Sequence, residues 1–179
     1  MDNSQHVTKI GQRLRRICVF LIFFLITEKV LFWAFWNQIQ APLDFMNMPP
    51  SGGTPDYLPV NWRIVAFIVE SLPLTAAVYG LLVLRKLFRY YENGHIFTGK
   101  TVACFRKLGK TLLVWVIADI IRHSLLVPIF AMHSVGKKVF AIMMVPSDLM
   151  GISAGIFVIV IAWVMEEARK IKDDNELII

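Results

Sequence analysis

The chain has 179 residues, of which 56% are hydrophobic and 18% charged, and its formal net charge at pH 7 is +6. Soluble domains are about 45–50% apolar, so this composition excludes an ordinary soluble enzyme or binding module. Most of the basic residues flank long apolar runs, where they indicate membrane topology rather than direct nucleic-acid binding.

Four apolar runs follow one another along the chain, at Ile17–Trp36, Trp62–Leu84, Leu112–Met132 and Leu149–Met165. Crossing a hydrocarbon core of ~30 Å takes about 20 residues at ~1.5 Å per residue. The sequence therefore predicts an all-α fold, with residues 1–179 forming one bundle of four transmembrane helices.

The first run follows a polar leader, residues 1–16, and contains Glu28 and Lys29. No small-residue cleavage site follows Trp36, so we expect a retained helix rather than a signal peptide.

The lysines and arginines are concentrated in three segments outside the apolar runs. Of the 19, four lie in the leader, seven between the second and third helices, and three after the fourth helix. Such segments stay in the cytoplasm, which predicts that both termini are inside. On this topology Trp33 and Trp36 lie near the outer interface.

The first outer loop, residues 37–61, holds five of the eight prolines, which predicts an extended or turning connector. Its apolar residues, Leu58 among them, leave open a second interpretation, in which the loop folds back onto the outer mouth of the bundle.

The second cytoplasmic segment, residues 85–110, contains seven basic residues that are candidates for binding lipid or a partner. They are Arg85, Lys86, Arg89, Lys100, Arg106, Lys107 and Lys110. We expect the second helix to end at Glu92-Asn93-Gly94 and an amphipathic helix to begin after Thr98. This helix is predicted to lie along the inner leaflet and to turn into the third span at Thr111. Anionic lipid head groups and a cytoplasmic partner are its two candidate ligands.

Six ionisable residues fall inside the apolar runs and form a predicted intramembrane polar cluster. They are Glu28, Lys29, Glu70, Asp119, Arg122 and His123. Helical rise places Glu28, Glu70 and Arg122 in one layer near the membrane centre. The cluster is interpreted as a static set of ion pairs, a proton- or ligand-responsive site, or a transport path. Three acids against two bases leave His123 free to take a proton.

Two proline positions and one glycine pair suggest further packing detail. Pro73 and Pro128 predict kinks that open a pocket in the outer half of the bundle. Gly151 and Gly155 form a GxxxG pattern, which indicates close helix packing inside the bundle or, alternatively, a dimer. The oligomeric state is left open.

The histidines lack metal-ligand spacing, so no metal or other cofactor is predicted. Residues 94–101 match the P-loop pattern letter for letter. A phosphate-binding P-loop follows a buried strand, whereas these residues follow a spanning helix, so nucleotide binding is rejected.

The stretch Arg85–Thr111 resembles the signature region of a bacterial family, domain of unknown function 2975, at Gly94, Phe97 and Leu108-Gly109. The acidic tail, residues 166–179, resembles the end of the same family. The resemblance implies a multi-pass protein of the bacterial inner membrane. Members of this family are often encoded beside a small cytoplasmic helix-turn-helix regulator, which is the candidate partner.

Together these features predict a non-catalytic sensor, regulator or protective factor that acts through its basic cytoplasmic segment and acidic tail. The alternative is a small proton-coupled transporter or carrier that uses the intramembrane polar cluster.

Overall fold

The computed structural model describes residues 2–36, 58–94, 98–134 and 144–176, and within these ranges the chain is helical apart from short turns and ends. The helices are α1 (Asp2–Ala34), α2 (Val60–Glu92), α3 (Gly99–Ser134) and α4 (Pro146–Glu176). Each contains a stretch long and apolar enough to cross a membrane. The predicted all-α architecture with four spanning helices is confirmed at this level.

Consecutive helices pack side by side, α1 on α2, α2 on α3 and α3 on α4. Arg15 in the first half of α1 pairs with Glu92 at the end of α2, with Nη1 and Oε2 3.1 Å apart, whereas Lys29 near the end of α1 pairs with Glu70 in the first half of α2. Trp62 at the start of α2 meets His133 at the end of α3, with ring centroids 5.2 Å apart. These contacts show that α2 runs antiparallel to both α1 and α3. Gly109 of α3 lies beside Gly155 of α4, and Val116 lies beside Gly151, so α3 and α4 are antiparallel as well.

Every helix is longer than its apolar run, and most of the additional residues lie at one end of the molecule. This end comprises the start of α1, the end of α2, the start of α3 and the end of α4. We call it the basic end, because it carries the seven basic residues of the segment 85–110. From Gly99 to Thr111, α3 adds about 20 Å of helix to its apolar run.

The predicted amphipathic helix is not a separate element, because residues Gly99–Ser134 form one continuous helix with no turn at Thr111. Thr98 precedes this helix, and its Oγ1 accepts a hydrogen bond from the Thr101 amide at 3.4 Å. Thr111 is buried, and its hydroxyl donates to the Lys107 carbonyl at 2.8 Å. The prediction of a separate helix on the membrane surface was therefore wrong. Val102 and Cys104 are also buried, because the apolar face of this stretch packs within the protein and not against lipid.

Glycines bring α3 and α4 into close contact. An added Cβ at Gly155 would lie 2.9 Å from Leu113 Cδ2, and one at Gly151 would lie 2.5 Å from Val116 Cγ2. On α3, a Cβ at Gly109 would lie 2.9 Å from the Gly155 carbonyl oxygen. The Gly151/Gly155 pattern therefore serves packing within the chain.

An aromatic cluster fills the end of the bundle opposite the basic end. Trp33 and Trp36 stack with centroids 5.2 Å apart, and Trp36 stacks on Phe130 at 5.5 Å. Both tryptophans are buried, so they belong to the core of the bundle at this end. Leu58 is fully buried in the same cluster, whereas residues 37–57 of the predicted outer loop lie outside the described residues.

Candidate functional site

Glu70 of α2 joins three helices through one buried carboxylate. Its Oε1 accepts a hydrogen bond from Arg122 Nη1 of α3 at 3.1 Å. Its Oε2 accepts a hydrogen bond from Trp33 Nε1 of α1 at 3.1 Å and pairs with Lys29 Nζ of α1 at 3.3 Å. The Glu70 side chain is 2% exposed and that of Lys29 is 29% exposed, so the α1 side of the site is the more open one.

Arg122 uses all three guanidinium nitrogens. Besides the bond to Glu70, its Nε donates to Asp119 Oδ1 at 2.8 Å. Its Nη2 lies 3.0 Å from Nε2 of His123. Asp119 and Arg122 are three residues apart on α3, so one face of the helix presents both to α2.

The contact with Arg122 assigns the tautomer of His123. Arginine has only N–H donors, so Nε2 of the imidazole must accept this hydrogen bond and cannot carry a proton. The ring proton therefore lies on Nδ1, 3.6 Å from Asp119 Oδ2. In this geometry the fully buried His123 accepts a hydrogen bond from Arg122 and lies beside Asp119.

The network holds two cations, Lys29 and Arg122, and two anions, Glu70 and Asp119. Glu28 is half-buried and forms no ion pair with any residue that the structure describes. Neighbouring residues on a helix point ~100° apart, so only Lys29 of this pair faces α2. The structure thus brings five of the six predicted cluster residues together, and the expected excess of acid is absent from this group.

A cavity of about 250 Å³ adjoins the network and is lined by residues of all four helices. Lys29, Glu70, Asp119 and Arg122 contribute its charged lining. Pro73 lines the α2 side, whereas Pro128 does not line this cavity. One liquid water occupies about 30 Å³, so the cavity has room for several waters or a small polar solute.

Sequence reasoning did not include Trp33 in the polar cluster. Its indole N–H is a donor without an acceptor function, and the Glu70 carboxylate satisfies it. A signal was present in the sequence, because Trp33 lies four residues after Lys29 and therefore on the same face of α1.

All seven basic residues of the segment 85–110 are exposed, and none forms an ion pair with a residue in the described ranges. Three acidic residues of α4 pair within their own helix instead. Arg169 binds Glu166 and Asp173, each at 3.0 Å, and Lys170 binds Glu167 at 3.3 Å. The basic end therefore keeps its positive charge accessible.

Four apolar helices that enclose a network of buried ion pairs define a multi-pass α-helical membrane protein. The profile of a family described as "Protein of unknown function (DUF2975)" matches residues 16–179. The chain belongs to this family, and the resemblance predicted from its sequence is confirmed. No curated protein and no solved structure matches it.

Proposed function

We propose that this protein is a non-catalytic regulatory or protective component of the bacterial inner membrane, with both termini in the cytoplasm. It acts with a cytoplasmic partner that binds the basic end. One contrast supports the proposal: the four charges of the buried network neutralise one another, whereas the seven basic residues at the basic end form no ion pair with a described residue.

The buried network fits a structural role. A single unpaired charge at the centre of a bilayer costs at least ~2.5–3.5 kcal/mol on insertion scales. Lys29, Glu70 and Arg122 come from three different helices, so pairing them removes this cost only when the helices have the correct rotation and register. The network therefore selects one arrangement of α1, α2 and α3.

The partner that best fits this role is the small helix-turn-helix regulator expected from the family resemblance. Arg106 is exposed at the basic end and lines neither of the grooves described below. We expect Arg106→Glu to abolish co-purification of that regulator with the full-length protein. Arg16→Glu makes the same charge change on α1 and is expected to leave the complex intact. Equal recovery of the regulator with both variants would refute docking through α3.

A proton-coupled carrier is the second candidate, because the charged cavity could hold a small polar solute. Arg122→Ala separates the two functions. If the network is structural, the variant lowers the amount of folded protein in the membrane. If folded protein is retained while solute or proton flux into proteoliposomes is lost, the carrier function is correct and the regulatory proposal fails.

A further inference from the structure

Two grooves adjoin on the face formed by α2 and α3. The first, of about 440 Å³, lies at the basic end and is lined by Lys86, Lys100 and Lys107. The second, of about 630 Å³, is predominantly apolar and is lined by residues such as Leu72 and Val114. Tyr79 and Lys107 line both, so the two grooves form one continuous surface.

The first groove presents three ammonium groups to one space. Its three lysines are exposed, and none pairs with an acidic side chain within the described ranges. Lys86 packs its ammonium against the Tyr90 ring, with Nζ 6.0 Å from the centroid. Three like charges around one groove repel each other, and a bound phosphate group removes this repulsion.

The second groove runs from the basic end into the adjacent membrane leaflet. It extends along α3 from Lys107 to Ala118, a rise of about 16 Å. The part from Leu112 to Ala118, about 9 Å, belongs to the apolar run of α3 and lies at the depth of acyl chains. Val114 is exposed within this stretch, so an acyl chain can lie directly against the helix.

We propose that this surface binds an anionic phospholipid of the leaflet at the basic end. Its phosphate lies among Lys86, Lys100 and Lys107, and one acyl chain follows the apolar groove towards Ala118. Basic pockets between helices on the cytoplasmic side are the places where anionic head groups bind membrane proteins. An acidic peptide would satisfy the lysines but would leave the apolar groove unused. This site is separate from Arg106 and does not depend on the regulatory proposal.

The test is a titration of the full-length protein in neutral detergent with long-chain phosphatidylglycerol, followed by native mass spectrometry. Each basic residue near an anionic lipid contributes about a fivefold change in affinity, so removing three predicts about a 100-fold loss. We expect that loss for Lys86→Gln, Lys100→Gln and Lys107→Gln combined. The matched control combines Lys9→Gln, Arg13→Gln and Arg16→Gln, which removes three charges from α1 at the same end. Equal losses in both triple variants would overturn the site. If the triple variant does not fold, Lys100→Gln alone, at the start of α3, is expected to lower the affinity for the lipid about fivefold.

Two further experiments test whether the bound molecule is a lipid. Val114→Trp fills the apolar groove and is expected to weaken lipid binding about tenfold, whereas Ile117→Trp on a neighbouring exposed face is not. Glycerol phosphate at the same concentration as the lipid is expected not to compete. Full competition by glycerol phosphate would show that the site binds a soluble anion and not a lipid, which would overturn the proposal. An acidic protein that needs the three lysines, with lipid affinity unchanged in the triple variant, would also overturn it.

Discussion

Replacing Glu70 with glutamine is the most direct test of the buried network. The substitution keeps the size and shape of the side chain but removes the charge that Lys29 and Arg122 share. The two carboxylate oxygens of Glu70 now accept hydrogen bonds from Trp33 and Arg122, and the substitution replaces one of them with an amide N–H₂ group. At least one of these donors then faces another donor.

The expected loss of stability is about 2–3 kcal/mol. Interhelical polar contacts in membrane proteins average ~0.6 kcal/mol each, so weakening all three contacts of Glu70 costs at most about 2 kcal/mol. Arg122 keeps Asp119 and His123, which limits its loss. Lys29 becomes an unpaired charge at depth, but its 29% exposure lets the long side chain extend away from the core, which reduces the ~2.5–3.5 kcal/mol penalty.

Unfolding of the purified protein in mixed micelles with increasing dodecyl sulfate measures this loss. Tryptophan fluorescence is a suitable signal, since Trp33 is hydrogen-bonded to the substituted residue. Glu28→Gln is the matched control: it removes an acid one residue from Lys29 that has no ionic partner in the described ranges, and it should cost under ~0.5 kcal/mol. If Glu70→Gln and Glu28→Gln have the same free energy of unfolding, the network does not stabilise the fold.

Three further predictions follow from the same contacts. Adding Lys29→Gln to Glu70→Gln restores the charge balance, so the double variant should be more stable than Glu70→Gln in the same unfolding assay. Gly109→Leu should destabilise the protein by about 1–3 kcal/mol because it pushes α3 away from Gly155, whereas Gly99→Ala, with open space around it, should cost far less. Reporter fusions at either terminus should be active only in the cytoplasm, and a periplasmic signal from either end would contradict the proposed orientation.

Hydrophobic length was enough to predict the four spans, because no other structure satisfies about 20 consecutive apolar residues in a bilayer. It did not predict where each helix ends. Polar residues such as Arg106 and Lys107 fit either a separate helix on the membrane surface or an extension of the third span, and packing of Val102 and Cys104 favours the extension.

The depth of each ionisable residue along its helix predicted which residues lie in the polar cluster. It did not predict which of them form ion pairs. Glu28 and Lys29 lie at nearly the same height, and only the rotation of α1 about its axis determines which of them faces Glu70. That rotation depends on contacts such as the stack of Trp36 on Phe130, which join residues far apart in the sequence.

The two cations of the network have different roles, and their chemistry explains which residue occupies each place. Arg122 meets three acceptors at once, which requires the planar fork of a guanidinium and cannot be reproduced by the single ammonium of lysine. Lys29 meets one carboxylate from the more exposed side of the site, where a flexible side chain can leave and return. Arg122 therefore fixes the arrangement of α2 and α3, while Lys29 joins α1 to Glu70 from the more exposed side, beside the buried hydrogen bond from Trp33.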